Sequence, residues 1–276
     1  MKSMREIGVG AQSGLGAPAL LVGLILLGWA FSLVQLLTMD APGSLAEAGP
    51  GMQIFAYVKA YVFGDPFAFE SALSFCATRT GVWGVTDVLK SGAMWLGMIL
   101  AMMLPVLLPL GRNTSGFPLP PGATTAGLTG YIIAWLPFCA MGVAVQWTLQ
   151  REGLLSAHLV LQHDGLNASI LLFVGLMYLS GMAKLAVTRP QTKAPAQSFR
   201  TGLIYGVHCL RCCGPLMLVM FITGLMNLVA MLALTLLMVV TMSAPNRFLF
   251  IALGASALVG ATVFGLNQSW AATHRM

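Results

Sequence analysis

An all-α, polytopic transmembrane helix bundle is the fold class this sequence predicts, and three observations predict it. Hydrophobic residues fill 58% of the 276 positions and charged residues only 8%, where soluble domains carry about 25% charged residues. The apolar residues come in runs of about 20, the length at which a helix crosses a hydrocarbon core of ~30 Å. Charged or Pro/Gly-rich connectors separate these runs. Residues 1–276 therefore read as one membrane domain of about six spans, with seven as the alternative.

The first span is expected over about Pro18 to Thr38, after a basic start at Lys2 and Arg5. Ser44-Leu45-Ala46 offers a small-residue cleavage site, but the apolar core is longer than that of a signal peptide, so an uncleaved anchor is expected. Residues 39–90 read as an external loop that holds Asp40, Glu47, Asp65, Glu70 and Asp87 against Lys59, Arg79 and Lys90. Its stretches QIFAYVKAYVFG and FAFESALSFC have the amphipathic spacing of interfacial helices. The second span covers about Ser91 to Leu110, with Pro105 expected to kink it. The turn GRNTSGFPLPPG leads to a third span, about Thr125 to Thr148. A loop with Arg151, Glu152, His158, His163 and Asp164 follows, its histidines expected to be solvated. The fourth span is about Gly165 to Val187, and 188–200 form a basic linker. Next comes an interfacial helix, Phe199 to Cys213, turned by Gly214-Pro215 into a long span that ends near Met242. Two spans there would place Arg211 in hydrocarbon, at about 2.5–3.5 kcal/mol. The last span is about Phe248 to Leu266.

Charge sets the expected orientation. No acidic residue follows Asp164, whereas Lys184, Arg189, Lys193, Arg200 and Arg211 come without a single acid among them. By the positive-inside rule the linker and the amino terminus are cytoplasmic, and the loops 39–90 and 148–164 lie outside. The net charge of +6 is thus a topology signal and not a nucleic-acid footprint. The partner implied at once is the lipid bilayer. No Walker loop, dinucleotide fingerprint or serine-based motif occurs. No carboxylate falls within a predicted span, which argues against a di-iron site or a proton relay. A non-enzymatic role is expected.

The chemistry concentrates in GVHCLRCCGPLMLVMFITGLMNLVAM. Residues i and i+4 share a helix face, so Cys209, Cys213 and Met217 form one stripe with Met220 near it. His208 and Cys212 form a neighbouring pair. Thiolates and thioethers select soft metals, above all Cu(I); zinc with three cysteines and a histidine is the alternative. In the second span Met94, Met98 and Met102 recur at i, i+4 and i+8. Met226 and Met231 extend the sulfur-rich lining. Asn227 is expected to face the bundle interior. Tyr131, Trp135 and Gln146 fit aromatic-belt and bundle packing, and Tyr178 is expected to bracket the end of the fourth span. The candidate ligands are Cys209, Cys212, Cys213 and His208, with Met217, Met220, Met226, Met98 and Met102 as weaker transfer ligands. Packing of small apolar thiols, thiol redox chemistry and lipidation are the competing readings of the cysteines.

The same residues carry a family resemblance over about Gly92 to Met242. Trp95, Met98 and Ala101-Met102-Met103-x-Pro105 match one motif, and Gly130-Tyr131 with Trp135 a second. The most specific comprises His208-Cys209, Cys212-Cys213, Leu216-Met217, Met226-Asn227 and Met231. In these the chain resembles a bacterial family of predicted metal-binding integral membrane proteins, a domain of unknown function sometimes labelled copper chaperones. The resemblance implies a bacterial inner-membrane protein that handles Cu(I), with a membrane cuproenzyme as recipient. Two features depart from it. The family's Cys-Leu-x-x-Cys-Arg pair after the fourth span is absent, since Lys184 is followed by Leu185-Ala186-Val187. The acid-lysine pair expected after the Met-Asn helix is replaced around Ser243-Ala244-Pro245. The loss of that cysteine pair leaves a single cluster and keeps an accessory-subunit role in a larger membrane complex as the alternative.

Overall fold

The computed structural model describes residues 16–37, 51–53, 83–108, 125–156, 158–182, 198–243 and 246–273. The two amphipathic stretches of the 39–90 loop, the turn at 111–122, Lys184 and most of the basic linker lie outside these residues.

The described chain is helical. Its elements are α1 (Gly16–Leu37), α2 (Val85–Met103), α3 (Thr125–Arg151), α4 (Asp164–Leu179), α5 (Phe199–Leu218), the single turn α6 (Met220–Thr223), α7 (Leu228–Ser243) and α8 (Arg247–Thr273). Five segments are long and apolar enough to cross a membrane: Ala19–Leu36, Val85–Leu107, Thr125–Arg151, Phe199–Thr223 and Arg247–Asn267. α4 and α7 are apolar but have only 16 residues each, or ~24 Å of helix. The surface suits lipid. Leu26, Leu27, Leu172, Phe173, Leu232, Leu236, Val259 and Val263 are all exposed, as an all-α transmembrane bundle requires.

Small residues decide which helices meet. A Cβ on Gly202 would overlap the carbonyl of Gly127, and one on Gly130 would overlap the carbonyl of Phe199. α3 and α5 therefore run parallel with their backbones touching, the close approach that apolar bundles obtain from glycine. α2 is antiparallel to α3. Gln146 Oε1 accepts from Ser91 Oγ (2.8 Å) and Trp95 Nε1 (3.0 Å) at one end, and the Tyr131 hydroxyl donates to the Met103 carbonyl (3.0 Å) towards the other. α4 and α8 pair antiparallel through Gly175 and Gly254. Asn267 Nδ2 donates to Asp164 Oδ2 (2.8 Å) near their shared end.

Several expectations need correction. Pro105 does more than kink the second span: the α-helix stops at Met103 and continues as a 3-10 turn, Leu104–Leu107. The fourth helix ends at Leu179, and Gly181 adopts φ +75° just beyond it. The expected interfacial helix with a turn at Gly214-Pro215 does not form. α5 passes straight through both residues, because an internal proline removes one backbone bond and a packed bundle tolerates that. The break comes at Gly224, whose φ of +102° is left-handed territory that glycine enters without strain. The long span expected to reach Met242 is thus divided into α6 and α7.

The break is covered from above. The Leu161 N–H donates to the Phe221 carbonyl (2.8 Å), and the Leu225 N–H to the Leu159 carbonyl (3.4 Å). The loop after α3 therefore folds inward and satisfies backbone groups that the interrupted helix releases. This buries His158, which is 3% exposed rather than solvated. His163 stays outside and caps α4, its Nδ1 accepting from the Leu166 N–H (3.3 Å). Asn227 caps α7: its Oδ1 accepts from the Ala230 N–H (3.0 Å), and its Nδ2 donates to the Thr223 carbonyl (3.0 Å). The Met-Asn motif therefore starts a helix.

Candidate metal centre

Cys209, Cys212 and Cys213 are each fully buried and unbridged. They lie on the middle turns of α5, not at the mouth of a span, since Arg211 is the central residue of the 25-residue segment Phe199–Thr223. One helical turn brings Cys209 Sγ and Cys213 Sγ to 3.9 Å. A soft metal with bonds of about 2.3 Å to each sulfur would bridge that gap at an angle of about 116°. This leaves room for a third ligand.

Tyrosines surround this pair. The Tyr131 hydroxyl, from α3, lies 3.0 Å from the Met103 carbonyl and 3.2 Å from Cys209 Sγ, and donates to either. The Met103 carbonyl sits where α2 passes into its 3-10 turn, so Pro105 sets up one half of this contact. Tyr178, from α4, donates to the Cys212 carbonyl (2.8 Å). Pro215 has no N–H for the carbonyl of Arg211, which loosens the helix just there. The ring of Tyr205 lies 5.9 Å from that of Tyr131. Its buried hydroxyl has no hydrogen-bond partner among the described residues, nor has Trp135 Nε1.

Thioethers fill the surrounding interior. Met94, Met98, Met102 and Met103 of α2, Met217 of α5, Met220 of α6, Met226 in the break, and Met231, Met238 and Met242 of α7 are all buried. Leu232, Leu236 and Val240 of α7 face outward. The sorting of methionine inward and branched residues outward shows that its placement follows one side of the helix. Trp95 joins the groups, with its ring 5.6 Å from Phe221 and 6.1 Å from Phe138.

Not every expected ligand arrives. Among the described residues no three His, Cys, Asp or Glu side chains converge on one point. His208 is half-buried on the flank of α5, and its Nδ1 lacks a hydrogen-bond partner among the described residues. The donors that the geometry does present are two thiols and the thioethers along the same face, a soft set that suits Cu(I) better than zinc. Sequence reasoning assigned Tyr131 to aromatic-belt and bundle packing and set Tyr178 at the end of the fourth span. Only the helix pairing reveals that they reach Cys209 and Cys212, although the Gly130-Tyr131 motif marked the position.

Residues 92–264 match the family model PpoB2, described as copper chaperone. The chain belongs to this copper chaperone family. The matched segment runs from α2 into α8 and so includes the cysteine pair, the tyrosines and the buried methionines. No curated protein and no solved structure matches the chain. The family description supports a copper-related function, and the sulfur-lined interior is the part of the molecule whose chemistry fits it.

Proposed function

We propose that this copper chaperone family member binds Cu(I) at Cys209 and Cys213 and hands it to a membrane cuproenzyme without performing catalysis of its own. The 3.9 Å approach of the two sulfurs inside a methionine-lined interior carries the reading. The thiols would release their protons on binding. The Tyr131 O–H would then turn towards the Cys209 thiolate, a stronger acceptor than the Met103 carbonyl. Met217 follows on the same face as the third donor, and Met220, Met226, Met98 and Met102 offer weaker exchange ligands beyond it. Cys212 and His208 flank this set. The proposed setting is the bacterial inner membrane, with the amino terminus cytoplasmic.

Complete burial, with no set of three His, Cys, Asp or Glu side chains placed to hold a metal among the described residues, also fits the alternative, an accessory subunit whose cysteines only pack. Anaerobic loading of the purified protein with Cu(I) separates the two. One tightly held copper per chain is expected, lost in Cys209→Ser and in Cys213→Ser and less affected in Cys212→Ser. Copper uptake no greater than that of a variant with all three cysteines replaced by serine would overturn the metal reading and leave the accessory role.

A further inference from the structure

Arg211 is a charge in the wrong place for an isolated bundle. It is the central residue of the candidate span Phe199–Thr223, so about 15 Å of hydrocarbon lies to either side of it. It is exposed, while Cys212 and Cys213 beside it are fully buried. No ion pair or hydrogen bond reaches its side chain among the described residues. The same strip of α5 carries exposed Arg200, Ile204 and Val207, with half-buried His208 one turn before Arg211.

An arginine held in lipid is costly unless its charge is paired. Long side chains reduce this by reaching for the headgroups, but their reach is only about 6 Å. From the centre of the span that leaves the guanidinium far short of either interface. Arg200, near the start of the helix, has no such difficulty. The membrane therefore does not account for Arg211, whereas a carboxylate at the same depth on a neighbouring helix would.

No described helix of this chain offers that carboxylate to a second copy. The eight acidic residues all precede Gly165. The candidate spans contain only Asp87, two residues after the start of its segment, and Asp164 opens α4. Among the described acids, Asp87, Glu152 and Asp164, none lies at the level of Arg211.

We propose that the Ile204–Val207–Arg211 face of α5 is a docking surface for a transmembrane helix of a different protein, one that bears an Asp or Glu near the middle of its span. Ile204 and Val207 supply the apolar contact, Arg211 supplies the bidentate donor that selects a carboxylate, and His208 lies within reach of the same group. The inference rests on α5 crossing a bilayer and is independent of copper.

The test reconstitutes the full chain in neutral phosphatidylcholine vesicles with a synthetic polyleucine transmembrane helix that carries one central Glu. Association is read by energy transfer and compared with the same helix carrying Gln or Leu. At least tenfold tighter association with the Glu helix is expected, lost in Arg211→Leu and retained in Arg200→Gln. Equal association of the three helices overturns the proposal, as does a Glu preference that survives in Arg211→Leu. If added phosphatidylglycerol abolishes the preference, anionic lipid is the partner of Arg211 and the proposal fails.

Discussion

Tyr131 is the side chain that links the state of a cysteine to the shape of its neighbouring helix. Its hydroxyl chooses between the Met103 carbonyl and Cys209 Sγ, and a thiolate wins that competition. Tyr131→Phe is therefore expected to weaken Cu(I) binding roughly tenfold, the equivalent of about 1.5 kcal/mol for a hydrogen bond to a charged acceptor. Competition against a chelator of known Cu(I) affinity measures it, and a Kd within twofold of wild type would remove Tyr131 from the site. Tyr178 donates to the Cys212 carbonyl, and the sulfur its hydroxyl also meets is that of Cys212, outside the Cys209–Cys213 pair. Tyr178→Phe is expected to leave the copper Kd alone and to cost about 1 kcal/mol of stability, seen as a lower Tm.

The α3–α5 pair positions the centre, since one helix brings Tyr131 and the other the cysteines. Gly202 has no room for any side chain against Gly127. Gly202→Leu should force the helices apart, destabilise the fold by at least the 1–3 kcal/mol typical of overpacking, and lower bound copper at the same time. Gly92→Ala is the control, because a Cβ there meets nothing within 4 Å and alanine suits a helix interior better. Should Gly202→Leu keep the wild-type Tm and copper stoichiometry, the close packing is not what sets the site. Legibility also differed by element. The apolar runs located the helices because burial in lipid demands some twenty residues without charge. The ends of α2, α4 and α5 were less visible, since a proline can end a helix, as Pro105 does, or be absorbed within one, as Pro215 is.

For the molecule as a whole, the pairing directions agree with a chain that crosses back and forth. The loop at 152–163, the break at Gly224 and the start of α2 fall at one end of the bundle, and Met103, Phe199 and Arg247 at the other. Impermeant maleimide applied to intact cells tests which end faces out, with single cysteines placed in a cysteine-free background. Glu152→Cys is expected to label and Arg200→Cys to remain protected. The reverse pattern would invert the proposed orientation and place the basic linker outside.

By itself, the sequence determined the helical class, the soft-donor chemistry and the stripe that joins Cys209, Cys213 and Met217. All of these follow from local composition and the 3.6-residue period, which are written along one helix. Only the tertiary structure decided the depth of that stripe, its tyrosine partners and the fate of Arg211. These depend on which faces of separate helices meet. Glycines at single positions settle that, by allowing two backbones to touch, and the other side of the turn that carries the cysteines leaves the Arg211 guanidinium facing outward.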